Sequence, residues 1–241
     1  MISKEQNNVS HPTKRPRFGD PLQLVSRGLT KLFSIWISVT YPFASIGRNA
    51  MFHFTSQLDR RRAVRIRLGN SVGVGKDAWL NVATDDPTGE PVILIDDNCH
   101  IGYGSMISAK NGVHLEHEVL IGQQVLITDH NHAYEDVTVP IIRQGITEGG
   151  RIRIGQGCWI GRGAVIICAK GELTIGRNCV IGVNSVVMQS IPDYSIVFGN
   201  PATIIKHYDC ATGAWRLGSS RKTATRIPPA PATTAADLIV K

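Results

Sequence analysis

No run of this 241-residue sequence is long and apolar enough to suggest a membrane span. The uncharged stretch between Lys31 and Arg48 holds sixteen residues and is broken by Pro42, where a spanning helix needs about 20. Cysteine is sparse. Cys99, Cys158, Cys168, Cys179 and Cys210 are odd in number and none falls in a CxxC pair, which points away from a disulfide framework and a zinc knuckle and fits a reducing compartment. Aromatic residues make up 6% of the chain. They do not interleave with the basic residues as stacking platforms, and no nucleic-acid-binding motif is present, so the net charge of +7 does not indicate nucleic acid. Met1–Asp20 is polar and basic without the apolar core of a secretory signal, and a cytoplasmic location is expected.

Acidic residues are also scarce near the start. Residues 1–67 hold 12 Lys and Arg against 3 Asp and Glu, whereas residues 68–241 hold 14 against 16. The positive charge therefore belongs to the N-terminal segment. Residues 1–20 read as a disordered basic arm and residues 21–67 as a mostly helical, basic extension packing over the end of the main domain. The apolar run flanked by Arg27, Lys31, Arg48 and Arg60 to Arg62 would also suit peripheral contact with an anionic membrane surface.

From Leu68 an aliphatic residue recurs at every sixth position, usually followed by Gly or a small or acidic residue. Leu68, Val74 and Leu80 form one set; Ile95, Ile101 and Ile107 a second; Leu115, Ile121 and Ile127 a third. After a break, Ile154, Ile160 and Ile166 precede Ile175, Ile181 and Val187. Each set of three sixes describes one eighteen-residue coil, and stacked coils bury the aliphatic positions in one column. An α-helical reading fails on the six-residue period and the glycine content. The glycine after each aliphatic residue is expected at a corner, for positive φ or for close approach. Small residues at the fifth position, such as Ala78, Ser105, Ala164 and Ser185, suit a crowded interior. The expected fold is an all-β parallel β-helix over residues 68–207, with an extended loop over 131–151 and a disordered tail over 208–241.

The repeats, the TDHNHAYED segment from Thr128, Pro140-Ile141, the CWIGRGAVI run from Cys158, VIGVNSVV from Val180 and FGNPATIIK from Phe198 together resemble the hexapeptide-repeat acyltransferases, in particular their galactoside, maltose, xenobiotic and surface-polysaccharide O-acetyltransferase branch. That resemblance implies a left-handed coil, a homotrimer with active sites between subunits, and acetyl-coenzyme A as co-substrate, with no metal expected. It implies an acetyl transfer to a sugar hydroxyl, with a histidine as general base. The base is expected at His132, with His130 as the alternative. Trp159, Arg162 and Val183 are implied beside the pantetheine arm, and Met188, Gln189, Thr203 and Lys206 near the phosphates and adenosine. Gln189 and Thr203 stand where relatives often carry cations. Asn111 and Glu116 resemble acceptor-binding positions. A xenobiotic acceptor, a zinc enzyme resembling the β-helix carbonic anhydrases and a non-catalytic scaffold stay open. For the zinc enzyme, His100, His114, His117, His130 and His132 offer the imidazoles.

Overall fold

The computed structural model describes residues 21–218 apart from positions 85, 87 and 88. The basic arm over 1–20 and most of the expected C-terminal tail lie outside the described residues. Helix α1, Pro21–Thr40, comes first, and the other described elements are short strands apart from a 3-10 turn at Ala63–Arg65 and a four-residue helix, α2, at Ile141–Gln144.

Three parallel sheets form the body. The first stacks Ser45–Ile46, Ile66–Leu68, Ile93–Ile95, Val113–Leu115, Gly149–Ile154 and Lys170–Ile175. The second runs from Met51–Phe52 through Gly73–Val74, His100–Ile101, Leu120–Ile121 and Trp159–Ile160 to Val180–Ile181 and Ser195–Phe198. The third runs from Gln57–Leu58 through Trp79–Val82, Met106–Ala109, Leu126–Thr128 and Val165–Ile167 to Val186–Val187. The chain visits the sheets in the order first, second, third, six times over, which makes a parallel β-helix of three-sided coils.

Register follows the six-residue period. Leu68 pairs with Ile95, Ile95 with Leu115, Leu115 with Ile154 and Ile154 with Ile175. All fifteen aliphatic positions of the repeat are buried. Burial of each such side chain is worth roughly 1.5–3 kcal/mol, so the column is the main source of stability. Ile121, in the middle coil, is 1% exposed. Ile121→Ala is expected to lower the unfolding free energy by roughly 2–5 kcal/mol, read from urea unfolding at fixed protein concentration. A loss below about 1 kcal/mol would show that the column is not the core.

The corners correct one expectation. The glycine after each aliphatic residue is there for close approach alone: a Cβ on Gly102 would sit 2.2 Å from the Gly122 carbonyl oxygen of the next coil. Positive φ falls two residues later, at Asn98, Glu118, Gly157 and Asn178 on the first-to-second corner. Four residues separate the strands at every first-to-second and every second-to-third corner up to Val186–Val187. The third-to-first corner varies, from two residues after Val165–Ile167 to twenty after Leu126–Thr128.

Two boundaries also move. The coils begin at Ser45, one full coil before Leu68, because Ile46, Phe52 and Leu58 already obey the period and pair with Leu68, Val74 and Leu80. A 3-10 turn at Ala63–Arg65 sets that coil out of phase with the next. The helical part of the N-terminal extension is thus α1 alone. At the other end, Thr203–Asp209 folds back antiparallel on Ser195–Phe198 and Ala214–Leu217 pairs with it. Residues 208–217 are therefore an ordered hairpin.

Candidate active site

The longest excursion leaves the coil after Thr128 and returns at Gly149, slightly earlier than the 131–151 span expected, because Gly149–Arg151 already pair with Lys170–Glu172. Its two limbs are tied together. Thr147 donates its N–H to the Asn131 carbonyl at 2.8 Å, Ala133 donates to the Gly145 carbonyl at 3.1 Å, and His132 bridges Ile146. His130 and His132 stand where the excursion departs.

The two histidines differ in every physical respect. His132 is exposed and its side chain makes no hydrogen bond among the described residues. The side chain of His130 is only 12% exposed, and its Nδ1 lies 2.8 Å from Asp129 Oδ1. Asp129 is itself fully buried. Its carboxylate accepts backbone N–H groups from Lys110 at 2.8 Å, Asn111 at 2.8 Å and Gly112 at 2.7 Å. Burial alone would push this carboxyl up; the His130 ring and the three N–H groups more than offset it and hold the carboxyl below its ordinary range. An ionised carboxylate only accepts, so the neutral His130 ring carries its proton on Nδ1 and has its lone pair at Nε2. This is the form a general base needs.

Neither Asp129 nor Gly149 stood out in the sequence. Gly149 has φ +82°, and a Cβ there would meet the Asp129 carbonyl oxygen at 2.8 Å and Asn111 Nδ2 at 2.9 Å. The returning chain passes directly against the Asp129–His130 pair. The signal available was a single acidic residue between the aliphatic repeat and the histidine.

Asn111 occupies the same corner one coil earlier, with Nδ2 donating to the Glu148 carbonyl at 2.6 Å. Met188 and Gln189 lie at the same corner two coils after Thr128 and Asp129, and both are exposed. They line a groove of about 840 Å³ with Thr203 and His207. Arg162 and Val183 instead occupy the second-to-third corner, across the third sheet from His130. Arg162 is held there by Gln124 Oε1 at 2.9 Å from Nη2, and Val183 is exposed. Trp159 projects from the second sheet, half exposed. Lys206 is exposed on Thr203–Asp209.

Glu116 is not brought to His130. It lies at the first-to-second corner, ion-paired with Arg153 and accepting the Gln156 N–H at 2.9 Å. The remaining histidines are dispersed: His100 is on the second sheet, His114 bonds Asp96 at 2.8 Å on the first, and His117 follows at the next corner. Cys99 is buried, which pushes its thiol up to about 11 and away from nucleophilic use.

The family described as the hexapeptide repeat of succinyl-transferase matches residues 92–128 and 172–199. An Escherichia coli K12 protein with the provisional name lipopolysaccharide biosynthesis O-acetyl transferase WbbJ is 32% identical over 157 residues, covering 62% of this chain and 79% of that protein. Rv3034c of Mycobacterium tuberculosis, provisionally named an acetyltransferase, is 30% identical over 169 residues. That match covers 70% of this chain and 51% of Rv3034c, so the chain spans about half of that relative. Among solved structures, a point mutant of AntD, an N-acyltransferase from Bacillus cereus in complex with dTDP and coenzyme A, is 19% identical. It superposes with a TM-score of 0.55 over 68% of this chain and 84% of AntD, which is a likeness of fold. Coil period, register and the extent of the WbbJ match agree, and the chain belongs to the hexapeptide-repeat acetyltransferases.

Proposed function

We propose that the protein moves acetyl from acetyl-coenzyme A to a hydroxyl of a sugar, in a surface polysaccharide or its lipid-linked precursor, with His130 as general base. The carrying observation is the 2.8 Å contact between His130 Nδ1 and the buried Asp129 carboxylate. The sequence favoured His132. The reading moves to His130 because only that ring has a partner that orients it and fixes its tautomer. His130 Nε2 takes the proton of the acceptor hydroxyl as its oxygen attacks the thioester carbonyl. The tetrahedral adduct collapses by breaking the carbon–sulfur bond, and the leaving thiolate takes the proton from His130, so the products are the acetyl ester and free coenzyme A.

Support for the donor comes from the exposed Met188 and Gln189 along the His130 corner, and from AntD, whose structure holds coenzyme A. Support for a hydroxyl acceptor comes from the name carried by WbbJ.

The proposed assembly is a homotrimer of left-handed coils with its sites between subunits. Trp79, Met106, Leu126, Val165 and Val186 form an unbroken outward ladder on the third sheet. The corresponding row of the first sheet is mostly polar, with Arg67, His114, Arg153 and Thr174 around a single Leu94. An apolar sheet face bordered on one edge by His130 and on the other by Arg162 and Val183 suits a subunit boundary crossed by the donor.

The test is release of coenzyme A thiol from acetyl-coenzyme A, screened against sugars and sugar nucleotides, with light scattering on the same sample. A mass near three times the 26.3 kDa chain and acceptor-dependent thiol release are expected. A monomeric mass at micromolar concentration would reject the interfacial site. Thiol release with amino sugars alone would replace O-transfer by N-transfer.

A further inference from the structure

Helix α1 has two unlike faces. Ile37 and Ser34 turn inward onto the first coil, where Ser34 Oγ accepts the Phe52 N–H at 2.8 Å. At about 100° per residue, Ile35, Val39, Leu32, Val25, Trp36 and Leu29 occupy roughly 120° of arc on the opposite side. All six are exposed, Val39 at 79% and Leu32 at 68%. An amphipathic helix ordinarily turns such an arc to a core. Here the other face closes the coil, and the arc is left outward.

The charge around the arc has one sign. α1 contains no acidic residue; Lys31 borders the arc next to Ile35, and Arg27 lies one step further round, toward Ser34. An apolar groove of about 1020 Å³ continues from Ile35 and Val39 down to Met51, and Arg27, Lys31 and Arg48 line it. At the helix end Arg60 Nε donates to the Thr40 carbonyl at 3.1 Å. The twenty residues before α1 add Lys4, Lys14, Arg15 and Arg17 against Glu5 and Asp20. Among the described residues no helix is long and apolar enough to cross a membrane.

We propose that α1 lies in the plane of an anionic membrane surface, with its apolar arc among the acyl chains, Lys31 at the level of the lipid phosphates, and Arg27 and Arg48 behind it within reach of the surface potential. The α1 of a second copy is a poorer occupant. A symmetric pairing of two such helices brings Lys31 and the neighbouring cations of both copies together, with no acid on either helix to compensate. The membrane assignment stands apart from acetyl transfer, because its test reads no activity.

The experiment is co-sedimentation of the full chain with phosphatidylcholine vesicles, with and without phosphatidylglycerol. Binding only to the anionic vesicles, weakened by salt, is expected. Arg27→Gln with Lys31→Gln should lower the partition coefficient roughly 25-fold, about fivefold for each cation removed. Leu32→Ser with Val39→Ser should lower it at least about tenfold, while the thermal midpoint stays unchanged because both side chains are already exposed. Brominated lipid should quench wild-type fluorescence and not that of Trp36→Phe. Absence of binding to anionic vesicles, or binding that neither double variant alters, overturns the proposal. A fall in oligomeric mass on Leu32→Ser with Val39→Ser, without vesicle binding, would give the arc to a second copy.

Discussion

His130→Ala is expected to lower acetyl transfer by on the order of 10²–10⁴-fold and to leave affinity for coenzyme A nearly unchanged. A base that only receives the hydroxyl proton acts in the transition state and contributes little to ground-state binding, so the loss belongs in kcat. His132→Ala should cost less than about tenfold, because that ring is exposed and has no partner to hold it. The measurement is thiol release under saturating donor for both variants, with calorimetric titration of coenzyme A as the binding control. Near-native transfer by His130→Ala would remove the base from the mechanism, and loss in His132→Ala alone would return the role to the more exposed ring.

Asp129→Asn is expected to be almost as severe, and it separates two tasks that the carboxylate performs. Toward His130 it fixes the tautomer. An amide can present Nδ2 to the ring, which places the ring proton on Nε2 and leaves no lone pair for the acceptor hydroxyl. A fall of roughly 10²–10⁴-fold in kcat follows, with the imidazole still in place. Toward the coil, Asp129 closes the third-to-first corner by accepting three N–H groups from Lys110 to Gly112. An amide oxygen cannot satisfy all of them and the ring as well, and the lost charge-assisted bonds should cost about 1.5–3 kcal/mol of stability.

The same substitution has a pH signature. The folded carboxyl lies below its ordinary range, so its contribution is fully present above the unfolded value of about 3.9 and is lost as pH falls through the lower folded value. Wild type should therefore lose stability through that acid window, and Asp129→Asn should lose less over the same window. Identical acid limbs in urea unfolding would show that Asp129 is not held ionised by the fold.

The coil architecture was legible because its signal is repeated: five sets of three aliphatic positions, spaced by six within each set, leave no other periodic fold to satisfy. The first coil escaped because Phe52 replaces an aliphatic residue, the stretch before it reads as one apolar run, and Ala63–Arg65 breaks the phase before Leu68. The hairpin over Thr203–Leu217 escaped for a different reason. It is antiparallel and largely exposed, so it carries no six-residue period.

Legibility of the site divides along the same line. The excursion after Thr128 and its histidines are visible as an interruption, whereas the ranking of His130 over His132 depends on which ring meets a buried carboxylate. Glu116 illustrates the converse. It resembles an acceptor-binding residue by position, yet its oxygens are engaged by Arg153 and Gln156 at a corner remote from His130. A spacing in the sequence does not say which corner faces which.

Two corners of every coil admit four residues and no more, while the third admits anything from two to twenty. An inserted residue at either uniform corner would shift the following strand by one place and turn its buried side chains outward against every coil above and below. The third corner has no such penalty, since the chain leaves the stack there and re-enters in phase. New segments can accumulate along one edge only, and that edge carries Asp129 and His130. The 131–148 segment can therefore be exchanged while the solenoid beneath it, and the Asp129–His130 pair at its foot, stay as they are. Grafting that segment between relatives with equal coil lengths and screening acceptors by thiol release tests whether it governs acceptor choice.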